Sequence, residues 1–183
     1  GSNSVIGDGN PGNGNIIANN GGPAIELTGG TGNTFSENQI FNNGSGAGIV
    51  LNSNNGGITA PVIDNTTTSA VTLSGVASGD EIELFLADAL GQGETFLDRV
   101  TATGSTATIT GLSLTTGDKV VATRTEATKG TSTFSAGAVV GLDYEITTTS
   151  DLILVITDLS GNGETLTMSE SGTTDIRFEN ANT

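Results

Sequence analysis

The chain has 183 residues, of which 20 are Asp or Glu and 5 are Lys or Arg, with no His, Cys or Trp, a formal net charge of -15 and a pI near 4.1. Without His or Cys there is no His-based triad, no thiol nucleophile, no disulfide and no zinc site built from nitrogen and sulfur. So acidic a chain argues against nucleic acid as a partner and against direct membrane binding, since both polyanionic surfaces are held by clustered cations.

No apolar run approaches the roughly 18 residues of a membrane span, and the longest, residues 152–156, is strand-sized. No charged-then-apolar leader opens the sequence. Gly1-Ser2 reads as a cloning remnant and Asn3 opens in mid-pattern, so the sequence is expected to be a piece of a longer protein.

Residues 3–57 hold 13 of the 17 Asn, half of the 28 Gly and three acids, Asp8, Glu26 and Glu37. Such a composition also suits a disordered arm, but the segment repeats itself. Asn15-Ile16-Ile17-Ala18-Asn19-Asn20 returns 23 residues later as Asn38-Gln39-Ile40-Phe41-Asn42-Asn43, and Pro23-Ala24-Ile25-Glu26-Leu27 returns 24 residues later as Ala47-Gly48-Ile49-Val50-Leu51. A short apolar strand, a polar corner and a second strand at this period predict the coils of a short parallel β-helix over residues 3–58. Inward Ile, Leu, Val and Phe stack on their equivalents, and Asn at the bends forms amide ladders.

Between residues 60 and 136 the composition turns to Thr, Val, Leu and acids, with turn signals every 8 to 15 residues. That spacing predicts an immunoglobulin or fibronectin III-like β-sandwich, with strands at 61–63, 70–76, 81–87, 95–102, 107–112, 119–125 and 131–135. Alternation is cleanest in Glu81-Ile82-Glu83-Leu84-Phe85-Leu86, which places Ile82, Leu84 and Leu86 toward the core and the two Glu toward water. Ala136-Gly137-Ala138 reads as a linker. Residues 138–183 carry four further strand candidates, 142–147, 152–157, 164–169 and 174–179, either packed on the sandwich or opening another module. No stretch has helical periodicity, so the fold class is all-β.

The Asn-Gly-rich coils ending in Ala47-Gly48-Ile49-Val50-Leu51, followed by Ala60-Pro61-Val62-Ile63, Leu84-Phe85-Leu86-Ala87, Gly91-Gln92-Gly93-Glu94-Thr95-Phe96-Leu97, Gly117-Asp118 and Ser132-Thr133-Phe134-Ser135, resemble a recurring bacterial arrangement. It is the right-handed β-helix plus immunoglobulin-like module of large secreted and cell-surface proteins, often of the Bacteroidetes type. The resemblance covers residues 3–136. It implies an extracellular or cell-surface location and a spacer or adhesive role, and it implies no activity.

For chemistry, the strongest metal candidate is the loop Asp158-Leu159-Ser160-Gly161-Asn162-Gly163-Glu164, which sets oxygen ligands Asp158, Ser160, Asn162 and Glu164 on alternate positions with Gly at the sixth. Calcium takes six to eight such oxygens, and Ca2+ is the expected cofactor. Position 12 is Ser169 and strands flank the loop, so it departs from the EF-hand, and a solvated hairpin loop is the competing reading. A weaker group is Asp8 with Asn10, Asn13 and Asn15. Asp80, Glu81 and Glu83 read as a solvated strand face.

Glycoside hydrolysis needs two acids across a sugar-sized cleft, one with a raised pKa. The coils offer only Glu26 and Glu37 besides Asp8, with no Lys, Arg, Tyr or Trp beside them, so no enzyme is expected. Sugar contact by aromatics is limited to an outward Phe85 and to Tyr144, with the other Phe residues assigned to the core. A Lys to Asn crosslink requires Lys119 or Lys129 buried beside Asn65 and an acid. The 30 Thr suit strand propensity and only Thr28, Thr31 and Thr34 fall in the coils, too few for an ice-ordering Thr ladder.

The sequence therefore predicts a non-catalytic structural or adhesive module whose sandwich covers the last coil. Its expected partners are neighbouring domains of the same chain, with a carbohydrate- or protein-receptor-binding module as the alternative.

Overall fold

The computed structural model describes residues 1–7, 12–44 and 47–141 with their side chains, and the strand backbones of 144–148, 154–158, 166–171 and 175–180. The protein is all-β. It divides into two compact units, residues 1–141 and 142–183.

The first unit opens with six very short strands, β1 (Val5–Ile6), β2 (Ile16–Ala18), β3 (Ile25–Glu26), β4 (Thr34–Phe35), β5 (Gln39–Phe41) and β6 (Ile49–Val50). The chain makes two circuits, and each strand of the second lies parallel to its counterpart in the first: β1 on β4, β2 on β5, β3 on β6. Ile17 pairs with Ile40 and Ile25 with Ile49, at the two periods of the sequence repeat. The third pairing, Ile6 on Phe35, has a longer offset that the repeat does not reveal. The cause is a nine-residue connection between β1 and β2 where the second circuit uses three residues between β4 and β5.

Inward residues stack within this part: Ile25, Phe35, Ile40, Ile49, Leu51 and Ile58 are buried, with Ile6, Ile17, Ala24 and Leu27 against them. Each fully buried Ile contributes roughly 1.5–3 kcal/mol, which is what such short strands need. Asn fills the corners for two reasons. It tolerates the left-handed backbone found at Asn19 (φ 60°) and Asn42 (φ 52°), and its amide spans the gap between circuits, as where Asn42 Nδ2 donates to Asn19 Oδ1 at 2.5 Å.

After a 3-10 turn at Asn55–Gly57 come β7 (Val62–Thr66), β8 (Ala70–Ser74), β9 (Glu81–Ala87), β10 (Gly93–Thr101), β11 (Thr106–Thr110), β12 (Lys119–Glu126), β13 (Gly130–Thr131) and β14 (Ala138–Val139). One sheet runs β11-β8-β7 and the other β10-β9-β12-β13, with β14 also on β12. The sheets are antiparallel throughout. Val71 and Leu73 of β8 and Ile109 of β11 share one core with Ile82 and Leu84 of β9 and Val120 and Ala122 of β12.

Two local expectations change. The seventh strand is only Gly130–Thr131, because beyond it the hydroxyls of Ser132 and Ser135 stand in for backbone carbonyls, accepting from Arg124 N and Ala122 N at 3.0 Å each. Ala136-Gly137-Ala138, expected as a linker, leads instead into β14, where Ala138 pairs with Val120 and Val140 is fully buried in the core.

In the second unit, β15 (Tyr144–Thr148) pairs antiparallel with β16 (Leu154–Asp158), and β17 (Leu166–Ser171) with β18 (Asp175–Asn180). Ile146 stands opposite Ile156, and Met168 opposite Phe178.

Candidate functional site

Strand β9 alternates as its sequence requires, yet both of its faces are covered. Ile82 and Leu84 enter the sandwich core, whereas Glu83 and Phe85, expected toward water, are each only 2% exposed. The two circuits of short strands pack on the outer face of sheet β10-β9-β12-β13, so that face is a seam rather than a surface. Phe85 meets Phe96 and Phe134 edge-on, both with centroids 5.6 Å away, an arrangement the ring quadrupole favours. Gly93 makes room for it: a Cβ there would stand 2.7 Å from Phe134 Cε1 and 2.9 Å from Phe85 Cγ.

The seam is built from side chains of the sandwich that accept hydrogen bonds from the second circuit's backbone. Thr131 Oγ1 accepts from Phe35 N at 2.9 Å, Glu83 Oε2 from Glu37 N at 2.9 Å, Asp88 Oδ2 from Asn42 N at 2.7 Å and Gln92 Oε1 from Asn43 N at 3.1 Å. Backbone joins in, with Thr131 N donating to Asn33 O at 2.9 Å and Gly32 N to Lys129 O at 2.8 Å. These amides would otherwise form an unpaired strand edge, the feature that invites end-to-end association.

The amide ladders show how closely the sandwich imitates a further circuit. Asn20 donates from its backbone N (3.2 Å) and from Nδ2 (2.8 Å) to Asn43 Oδ1. Asn43 in turn donates from N and Nδ2, each at 3.1 Å, to Gln92 Oε1, and Gln92 Nε2 returns a bond to Asn43 O at 2.7 Å. Both Asn43 and Gln92 are fully buried. A second ladder runs from Ser4 N to Asn33 Oδ1, from Asn33 N and Nδ2 to Asn55 Oδ1, and from Asn55 Nδ2 to Thr131 O.

Beside these ladders lies a pair of buried carboxylates. Glu37 Oε2 accepts from Gly12 N at 3.0 Å while Oε1 lies 3.4 Å from Arg99 Nη1, and Arg99 also reaches Glu81 Oε1 at 3.5 Å from Nε. Glu83 Oε1 accepts the Ser36 hydroxyl at 2.5 Å. Burial pushes the Glu83 carboxyl above its ordinary value of 4.5 and the nearby Glu37 charge adds to this, against the hydrogen bonds from Ser36 and the Glu37 amide and the charge of Arg99. A shallow cleft of about 310 Å³ passes Ser36, Glu83 and Arg99. Both Glu83 oxygens are engaged across the seam, whereas Glu37 Oε2 is held by Gly12 N and the buried Glu37 Oε1 faces Arg99 without a hydrogen bond. The arrangement is suited to holding two parts together.

Several of the remaining sequence candidates fall outside the described residues. Asp158 ends β16, while Ser160, Asn162 and Glu164 lie outside the described residues, as do Asp8 and Asn10. Among the described residues no group of three or more carboxylates, His or Cys is placed to hold a metal. Asn15 is engaged with Asn38. Glu26 is exposed and accepts from Asn52 at 3.2 Å, away from the partners of Glu37. Asp80, read as solvated, is 2% exposed: it accepts from Ala77 N at 2.8 Å and pairs with Arg124 at 3.2 Å. Lys129 is 40% exposed and pairs with Glu126 at 2.9 Å, and Asn65 is exposed, so no buried crosslinking group forms there. The Tyr144 side chain lies outside the described residues.

Gln92, Asp88 and Thr131 carry the seam and were not singled out by sequence. The available signal was Phe85, an aromatic on the supposedly wet face of β9, which marks that face as covered. Comparison with protein-family models, with curated proteins and with solved structures gives no match for this chain.

Proposed function

We propose that the protein is a non-catalytic structural or adhesive spacer module of a large bacterial cell-surface or secreted protein, in which a short right-handed parallel β-helix is capped by a fibronectin III or immunoglobulin-like sandwich. The observation that carries this reading is Gln92 taking, on Asn43, the place that Asn43 takes on Asn20. A terminal circuit must be closed to stay soluble, and here the closure is polar, buried and specific. The strand orders β11-β8-β7 and β10-β9-β12-β13, with β13 and β14 both on β12, support the sandwich assignment, since two antiparallel sheets over one core are what that family of topologies has. The engagement of both Glu83 oxygens, by Ser36 and by the Glu37 amide, supports a role without catalysis.

The extracellular location and the adhesive context rest on the sequence resemblance. Calcium at Asp158, Ser160, Asn162 and Glu164 belongs to the same proposal, supported by the ligand spacing and by a charge of -15 whose self-repulsion a bound cation lessens. The test is cooperativity: under this reading residues 1–141 unfold in one transition followed by both far-UV circular dichroism and Phe-region signals. Two separated transitions within that unit would sink the capping role, and shortening of any polysaccharide incubated with the protein would sink the non-catalytic one.

A further inference from the structure

The first unit has four cations, and three of them are neutralised locally: Arg99 by Glu37 and Glu81, Arg124 by Asp80 and Glu126, Lys129 by Glu126. No carboxylate among the described residues pairs with Lys119, the first residue of β12. Among the described residues a partly buried lysine with no carboxylate partner is the exception. The nearby acids are otherwise engaged. Asp88 accepts from Leu90 N and Gln92 N on Oδ1 and from Asn42 N on Oδ2, and Asp118 Oδ2 accepts from Thr115 N.

Space around this amine is kept open. The Lys119 stem crosses Gly137, where any Cβ would collide with Lys119 Cε, and Nζ comes within 3.9 Å of where a Cβ on Gly91 would stand. Lys119 lines a groove of about 420 Å³ together with Ile49, Leu90, Thr133, Phe134 and Ser135. That volume lies in the range of small-ligand sites. Leu90 is 48% exposed, one of only four large apolar side chains so exposed among the described residues.

We infer that this groove binds a carboxylate-bearing sugar, a uronic acid residue, with its carboxylate on Lys119 Nζ and its C–H face against Leu90 and Phe134. A pyranose ring offers both surfaces at once, and aromatic or aliphatic walls with a few polar groups are what hold such a ligand. A peptide C-terminus asks instead for a nest of free backbone N–H groups, and the Gly91 N–H is already given to Asp88 O at 3.1 Å. The inference goes beyond the spacer reading and stands apart from it, since a spacer with or without this groove unfolds in the same way.

The experiment is an amide-resolved NMR titration of the full chain with methyl α-D-galacturonoside, with methyl α-D-galactoside, and with a short peptide bearing either a free or an amidated C-terminus. The expected result is saturable shifts at Gly91, Thr133 and Gly137 with the uronoside, at a Kd on the order of millimolar, and none with the neutral glycoside. Lys119→Met, which keeps the stem that packs on Gly137, weakens binding at least about fivefold, as does Leu90→Ser, whose site is exposed enough to leave folding intact. Lys129→Gln leaves it unchanged. No saturable shift with the uronoside, an equal response to the neutral glycoside, or a response to the peptide's free carboxylate in place of the uronoside overturns the inference.

Discussion

Gln92 of the sandwich donates from Nε2 to Asn43 O at 2.7 Å while its Oε1 accepts both the backbone and the side-chain N–H of Asn43 at 3.1 Å. One side chain thus satisfies the backbone N–H and C=O of Asn43, which a further circuit would otherwise serve, while Asn43 Nδ2 also donates to Ile17 O at 2.8 Å and to Phe41 O at 3.0 Å. An unsatisfied buried donor or acceptor costs about 1–3 kcal/mol, so Gln92→Ala is expected to destabilise the first unit by at least that much, read as a lowered urea midpoint with the slope retained. Gln92→Glu buries a carboxyl against Asn43 O, so its destabilisation should grow as pH rises and the group ionises. A midpoint for Gln92→Ala within about 0.5 kcal/mol of the parent would mean the ladder is ornamental.

Glu83 gives a prediction in pH. Its folded-state pKa is raised by burial from 4.5, so the folded state holds this proton more tightly than the unfolded one. Its contribution is therefore complete below pH 4.5 and diminishes as pH climbs through the raised value. Glu83→Gln removes the titration and keeps an acceptor for Ser36 or the Glu37 amide. The parent should lose stability relative to this variant as pH rises above 4.5, in paired denaturation curves from pH 4 to 8. Parallel curves would contradict the assignment of the buried carboxyl.

Gly93→Ala tests the aromatic cluster. The added methyl meets Phe134 at 2.7 Å and Phe85 at 2.9 Å, and overpacking of this kind costs about 1–3 kcal/mol. The expected readout is a drop of several degrees in the melting temperature with an altered near-ultraviolet Phe signal. Gly104→Ala, where nothing stands within 4 Å of the new Cβ, is the control and should leave both unchanged.

Calcium is tested by melting the protein in excess EDTA and again with millimolar calcium. Binding to the folded state raises the melting temperature by mass action, and Asp158→Ala should abolish the rise. Identical melting in both conditions would leave the 158–164 loop without a metal.

Much of this was legible in the chain. The repeat of Ile17 on Ile40 and of Ile25 on Ile49 is written in the sequence because both circuits use the same inward residue at the same period. The alternation of β9 fixed which side of Ile82 and Leu84 faces the core. The pairing of Ile6 with Phe35 was hidden because the first connection is longer than the second and breaks the period. Glu83 misled for a different reason. Period-2 alternation reports which residues share a face, and only the neighbours decide whether that face is wet. Gln92 was invisible for the same cause, since its partner Asn43 is 49 residues away and no local pattern encodes a contact of that range.

The two ends of the stacked circuits are unlike. On one, Thr131, Glu83, Asp88 and Gln92 close every amide they meet. On the other, β1, β2 and β3, which carry Val5, Ile16 and Ile25, pair with no further strand among the described residues. The stack therefore has a polarity, and under the proposed capping an additional turn joins at the end that carries Val5 and Ile16. Each such turn lengthens the body by one strand spacing, about 4.8 Å, without disturbing a single bond at the closed end. Reach in a protein of this design can be set by the number of turns, like notches on a ruler whose zero is fixed at Gln92.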